Sequence, residues 1–186
     1  MEHPFALRGH VYTHALLEAI ERVPRMWTWL TDRQDYKGSA HKDTECIVLR
    51  GPGGPAIDKP FDCIQADDYW QADVVRAPML DVLGQLQAIA PWSRLGRMMA
   101  VRLKPGGYVT PHVDEGGYAD YYTSRLHVAM TESPLAFLEV GGQTQVFRQH
   151  ELWQIDHKRE HSARNCDTVS PRIHLIVDLL EENQDV

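Results

Sequence analysis

Between Arg97 and Asp178 the chain is a succession of short segments in which β-branched or aromatic residues alternate with polar ones. The segments are 97–103, 108–112, 125–130, 136–140, 144–148, 151–155, 161–164 and 172–179, and Gly106-Gly107, Gly116-Gly117 and Gly141-Gly142 punctuate them as turns. Many short strands at close spacing cannot each bury a face alone. They must close on one another as a sandwich or barrel, which predicts a mainly β fold. The part before them reads differently. Leu16, Leu17, Ile20, Val23, Met26, Trp27 and Leu30 recur at three- and four-residue steps and predict a helix over 12–31, with Pro24 as a kink or break. A second apolar stripe predicts a helix over 74–90, ended by Pro91. Cys46 to Leu49 is a strand candidate, and the run GPGGPAIDKP (51–60) reads as a surface loop. The whole, 1–186, is expected to be one domain: a helical, buttressing N-terminal part (1–95) and a β core (96–180).

Composition excludes several functions. With 19 basic against 26 acidic residues, a net charge of -7 offers no broad basic face to nucleic acid. No apolar run is long enough to span a bilayer, and the N-terminus lacks the apolar block of a signal peptide. Cys46, Cys63 and Cys166 form no CxxC pair, and a reducing cytoplasm is the expected location. Cys46 and Cys166 are read as small buried hydrophobes. His3, His10, His14, His41, His150 and His157 are read as exposed.

The chemistry concentrates in PHVDEGGY (111–118). On a strand, His112 and Asp114 project to the same side. His161 supplies a third donor. Two histidines and one carboxylate form the facial set of non-haem Fe(II) oxygenases, whereas zinc favours all-histidine or cysteine-rich sets. The same spacing also fits a strand histidine hydrogen-bonded to a turn aspartate. Arg172 heads the apolar strand Arg172-Ile-His-Leu-Ile-Val-Asp178, where an unpaired guanidinium is costly, so it needs an anionic partner. That partner is either the carboxylate of a bound diacid, gripped by two parallel hydrogen bonds, or an acidic residue on a neighbouring strand.

Three separated blocks agree in order with a known pattern: GRMMAVRLKPGGYVTPHVDEGGYADYYTSRLHVAM, ELWQIDHKREHSARN and PRIHLIVD. Over roughly residues 96–179 the chain resembles the aspartyl/asparaginyl β-hydroxylase-like family of Fe(II)/2-oxoglutarate dioxygenases, which includes bacterial free-proline hydroxylases. The resemblance implies a double-stranded β-helix, the cupin-like jelly roll, with helices supporting the sheet. It implies His112, Asp114 and His161 as iron ligands and Arg172 as the partner of the distal carboxylate of 2-oxoglutarate. It places Arg125 and His127 on a strand lining the co-substrate pocket, with His127 at the metal-proximal carboxylate. Trp153 and Asn165 match family positions flanking the second metal histidine. The implied reaction consumes O₂ and 2-oxoglutarate, releases succinate and CO₂, and hydroxylates a substrate. Animal aspartyl β-hydroxylases carry glycine where this chain has Asp114. Their substrates, epidermal-growth-factor-like domains, are therefore not carried over, and an amino acid, short peptide or peptidyl side chain is expected instead.

Glu115, Tyr118, Tyr122 and Tyr108, close to the metal motif, are candidates for substrate contact, each also compatible with a solvent-facing loop. His174 shares the face of Arg172 and is a further candidate, also compatible with a core position. Residues 32–60 are a candidate lid, with Arg50 at its edge. The competing reading is a cupin-like metal or small-ligand binding protein without oxygenase turnover. Arg172 and Arg125 separate the two, since a bare metal site has no use for carboxylate-pairing arginines. Oligomeric state leaves no mark in the sequence.

Overall fold

The structure is a computed structural model that describes residues 3–28, 31–52, 63–65 and 73–182. Most of the 51–60 loop, Leu30 and the end of the acidic tail lie outside the described residues. The strand built from the sequence's most apolar run, β11 (Arg172–Glu181), is central and buried from Arg172 to Leu180. Its alternation decides the layering. Ile173, Leu175, Val177 and Leu179 join the cluster that contains Leu16, Ala19 and Ile20 of α1 (His14–Glu21) and Met79, Val82 and Leu86 of α3 (Arg76–Ile89). Ile176, on the other face, packs with Cys46, Met99 and Val101.

Around β11 an antiparallel sheet is assembled from β1 (Phe5–His10), β2 (Thr44–Pro52), β3 (Cys63–Gln65), β4 (Trp92–Leu103), β6 (Ser124–Ala129) and β9 (Glu151–Ile155), in the order β1-β9-β6-β11-β4-β2-β3. A second antiparallel sheet, β5-β10-β7-β8, comprises β5 (Tyr108–His112), β7 (Ala136–Val140), β8 (Gln143–Gln145) and β10 (His161–Asn165). The inner faces share a core: Leu103, Ala129 and Ile155 from the first sheet meet Val109, Leu138, Val140 and Ala163 from the second. Two such sheets around one core, with helices outside the larger, make the expected mainly β double-stranded β-helix.

The N-terminal region departs from the expectation of helical support. Residues 1–95 also contribute β1, β2, β3 and the start of β4 to the larger sheet. The helix expected over 12–31 ends at Glu21, and a separate 3₁₀ turn runs from Pro24 to Thr28. The clash of a proline ring with the preceding residue explains the break. The strand at 97 begins earlier, at Trp92. The glycine of the GRMMAV block allows a close approach there. A Cβ on Gly96 would lie 2.7 Å from the Tyr118 hydroxyl and 2.8 Å from the Tyr122 ring. Those tyrosines belong to and follow α4 (Gly117–Tyr121), which leads away from the metal motif.

Candidate metal centre and anion pocket

The register of β5 on β10 sets His112 directly opposite His161, with ring centroids 4.3 Å apart. Their Nδ1–H groups donate to the chain's own carbonyls, His112 to Thr110 at 2.8 Å and His161 to Arg159 at 2.9 Å. This leaves both Nε2 lone pairs for a common acceptor, the usual way that outer contacts fix a ligand imidazole. Asp114 lies just past the end of β5. Its Oδ1 is 4.0 Å from His112 Nε2 and its Oδ2 is 3.9 Å from His161 Nε2. The three residues offer ligand atoms all within 4.8 Å of one another. Burial, more than any other effect, lowers the pKa of both histidines, that of His161 to about 4. Both are therefore neutral and competent as ligands near pH 7.

Asp114 is held from behind. Arg125 Nη1 lies against its carboxylate, while Arg125 Nε donates to Asp178 Oδ1 at 2.7 Å and Nη2 to Oδ2 at 3.3 Å. Arg97 Nη2 reaches the same Asp178 at 3.3 Å. Burial alone would raise the Asp178 pKa, but the two guanidiniums bring it to about 2. Arg125 thus lines the cavity, but its guanidinium is engaged by Asp178 and Asp114 and not open to an incoming carboxylate. The expectation of two free carboxylate-pairing arginines is corrected to one at this end.

That one is Arg172. It is 3% exposed, and its Nε and Nη1 are buried without a hydrogen-bond partner. Burial lowers its pKa to about 10, still charged at neutral pH. Beside it is His127, whose Nε2 is likewise buried and unpartnered. Both line a cavity of about 620 Å³, counted out to solvent, together with the His112–Asp114–His161 set. His174 does not line it. Its ring stacks on Phe147 at 5.2 Å, Phe147 stacks on Trp153 at 5.4 Å, and Phe147 also meets His127 edge-on. Trp153 and His174 therefore fix the wall that carries His127. Asn165 is buried and ties the turn before β11, donating to Ser170 O at 2.8 Å and Lys104 O at 3.2 Å.

Four of the proposed substrate contacts fall elsewhere. Glu115 and Tyr108 are exposed, the latter beside the Arg164 guanidinium. Tyr122 is buried, and the Tyr118 ring packs tilted against it while its hydroxyl accepts the Arg97 N–H. None of these four lines the cavity. Arg50 is also absent from it and donates to Leu95 O. Three residues missed in the sequence do line it: Arg33 from α2 (Asp32–Asp35), His41 and Arg97. His41 is not exposed as expected. Its ring packs edge-on against that of His112 at 4.8 Å. His157 is buried too, with its carbonyl accepting the Asp114 N–H at 3.4 Å. Cys166, by contrast, is exposed, while Cys46 is buried as expected.

Residues 72–182 match the family model described as aspartyl/asparaginyl beta-hydroxylase. The chain belongs to this family. No curated protein matches the sequence. Among solved structures, a Pseudomonas putida prolyl-4-hydroxylase aligns with 12% identity and a TM-score of 0.52 over 97% of this chain and 94% of its own. A Trichoplax adhaerens prolyl hydroxylase, solved with a hypoxia inducible factor peptide fragment, aligns with 7% identity and a TM-score of 0.55 over 96% and 84%. At these identities the two show the fold that the family member shares. A Streptococcus pyogenes protein of unknown function overlaps less, covering 46% of this chain and 65% of its own length at 12% identity and a TM-score of 0.36. Among the described residues no helix is long and apolar enough to cross a membrane.

The donor set fits the metal and co-substrate that the family implies. It has two neutral imidazoles and a carboxylate for a ferrous ion. Across the cavity, a buried cation and an imidazole nitrogen lack partners.

Proposed function

We propose that the protein is an Fe(II)- and 2-oxoglutarate-dependent dioxygenase that hydroxylates an amino acid, short peptide or peptidyl side chain and converts 2-oxoglutarate to succinate and CO₂. The observation that carries this reading is Arg172: a nearly inaccessible guanidinium with two unpartnered donor atoms in the cavity that also holds the His112–Asp114–His161 set. A buried unpaired charge costs several kcal/mol, and a ligand carboxylate offsets that cost. A simple metal-binding protein has no use for such a residue. In this reading the substrate is a small molecule or peptide, with no nucleic-acid or membrane partner, in a reducing cytoplasm.

His112 Nε2, His161 Nε2 and the Asp114 carboxylate would hold iron. Arg172 would receive the distal carboxylate of 2-oxoglutarate, and His127 Nε2 would face its keto-acid end. When bound, the iron–keto-acid pair supplies with O₂ the oxidising power to replace a C–H by C–OH. The chain's own task is positional. Arg125, clamped by Asp178, orients Asp114, and the Phe147–Trp153 stack keeps His127 in place. Val101, Leu138 and Ile176 contribute apolar lining that helps to exclude water.

The test is succinate release from 2-oxoglutarate with Fe(II) under air, with and without candidate substrates. We expect turnover that His112→Ala abolishes, together with loss of Mn(II) binding in the same variant. Mn(II) binding that survives His112→Ala refutes the assigned metal site. Tight Mn(II) binding in a wild-type protein that binds no 2-oxoglutarate favours the cupin-like binder.

A further inference from the structure

The unpartnered donors of the cavity fall into two groups. One is Arg172 with His127. The other is Arg33 Nη1, Arg97 Nε and His41 Nδ1, all buried and without a hydrogen-bond partner. Arg33 Nη2 lies 3.1 Å from His41 Nε2. A guanidinium only donates, so Nε2 accepts and Nδ1 carries the hydrogen. The second group thus consists of three donors and no acceptor.

The groups occupy different ends of the cavity. Arg97 is bonded to Asp178, six residues beyond Arg172 on β11, or about 20 Å along an extended strand. His41 is in ring contact with His112, so the second group lies on the metal side. Charge balance tells the same story. Four guanidiniums line the cavity, from Arg33, Arg97, Arg125 and Arg172, against the carboxylates of Asp114 and Asp178. A divalent metal and a dianionic keto-acid cancel one another, so a surplus of positive charge remains at the Arg33–Arg97 end. Arg33 shows the strain of this crowding. Burial first and repulsion from Arg97 second lower its pKa to about 10.

We propose that the substrate is a net-anionic carboxylate, its carboxylate received by Arg33 Nη1, Arg97 Nε and His41 Nδ1. The inference rests on the dioxygenase reading for the position of the reacting centre, and it narrows that reading. Among the described lining residues the sole carboxylate is Asp114, already engaged by Arg125, so a free ammonium group finds no counter-ion there. An N-acylated amino acid, or a diacid, fits better than a zwitterion. The oxidised carbon would lie close to the anchored carboxylate, because the anchor and the metal ligands are in ring contact.

The experiment uses anaerobic calorimetry on the full chain loaded with Mn(II) and 2-oxoglutarate. The probes are N-acetyl derivatives of the common amino acids, each beside its C-terminal amide and its free amino acid. We expect at least one N-acetyl acid to bind, with its amide and its free amino acid weaker by about tenfold or more. Arg33→Met should cost that ligand about tenfold to a hundredfold in affinity, and Arg33→Lys should restore part of it, with 2-oxoglutarate affinity unchanged and melting temperature not lowered. Equal binding of acid and amide, equal binding of the free amino acid, an unaffected Arg33→Met, or no bound probe at all overturns the proposal. The panel is repeated without Mn(II) and 2-oxoglutarate. Failure of those two to bind counts against the dioxygenase reading, while acid-over-amide discrimination still tests the anion pocket.

Discussion

At the scale of the residue, Arg172 carries a cost that the folded chain does not itself repay. Its Nε and Nη1 lack partners in a site 3% exposed. Arg172→Met is therefore expected to leave the ligand-free protein at least as stable, and more stable by up to about 1–3 kcal/mol in urea unfolding. The same variant should bind 2-oxoglutarate roughly a hundredfold more weakly by titration, with Mn(II) affinity retained. Marked destabilisation of the ligand-free variant would mean that the guanidinium is structurally satisfied, contrary to its place in the cavity. This residue was legible in the sequence, because an arginine at the head of an apolar strand has few innocent explanations. Arg33 and His41 were not. They sit in a polar stretch with no period, and only the docking of that stretch beside β5, where Thr110 N–H donates to Ala40 O, brings them to the metal histidines.

At the scale of the element, close approach of α4 to β4 depends on Gly96. With a Cβ the contact to Tyr118 and Tyr122 falls below 3 Å, and two rings already in contact in a packed wall have little room to yield. Gly96→Ala is expected to destabilise by about 1–3 kcal/mol in thermal or urea unfolding, the usual range for overpacking. A loss below 0.5 kcal/mol would show that α4 simply shifts. The strands whose alternation is clean were readable from sequence, and β5, β7 and β9 begin and end where expected. β1 was not. Its register slips between Leu7 and Gly9, and the bulge destroys the two-residue period by which a strand is recognised. Gly9 supplies the positive φ of 148° that the bulge requires.

At the scale of the whole molecule, burial keeps several imidazoles neutral. It lowers the pKa of His161 to about 4, that of His41 to about 2, and those of His127 and His174 well below the ordinary value of 6.5. As pH falls from 6.5, the unfolded chain takes up these protons and the native state does not, so stability is full above 6.5 and drains away towards pH 4. Each such group contributes up to about 1.4 kcal/mol per pH unit in that window. Urea unfolding should therefore show a stability that falls steadily between pH 7 and pH 5, and a flat profile over that range would contradict the burial of these rings. The sequence by itself determined a mainly β core, the alternation of its strands and the candidacy of His112, Asp114, His161 and Arg172 for one site, because strand period and residue type are local, while the β-helix topology and the roles of those four residues entered only through the family resemblance. Only the tertiary structure decided that Arg125 is spent on Asp178 and Asp114, and that Arg33, His41 and Arg97 face the cavity. Charge pairing depends on distances between strands and loops far apart in the chain, which no local pattern encodes.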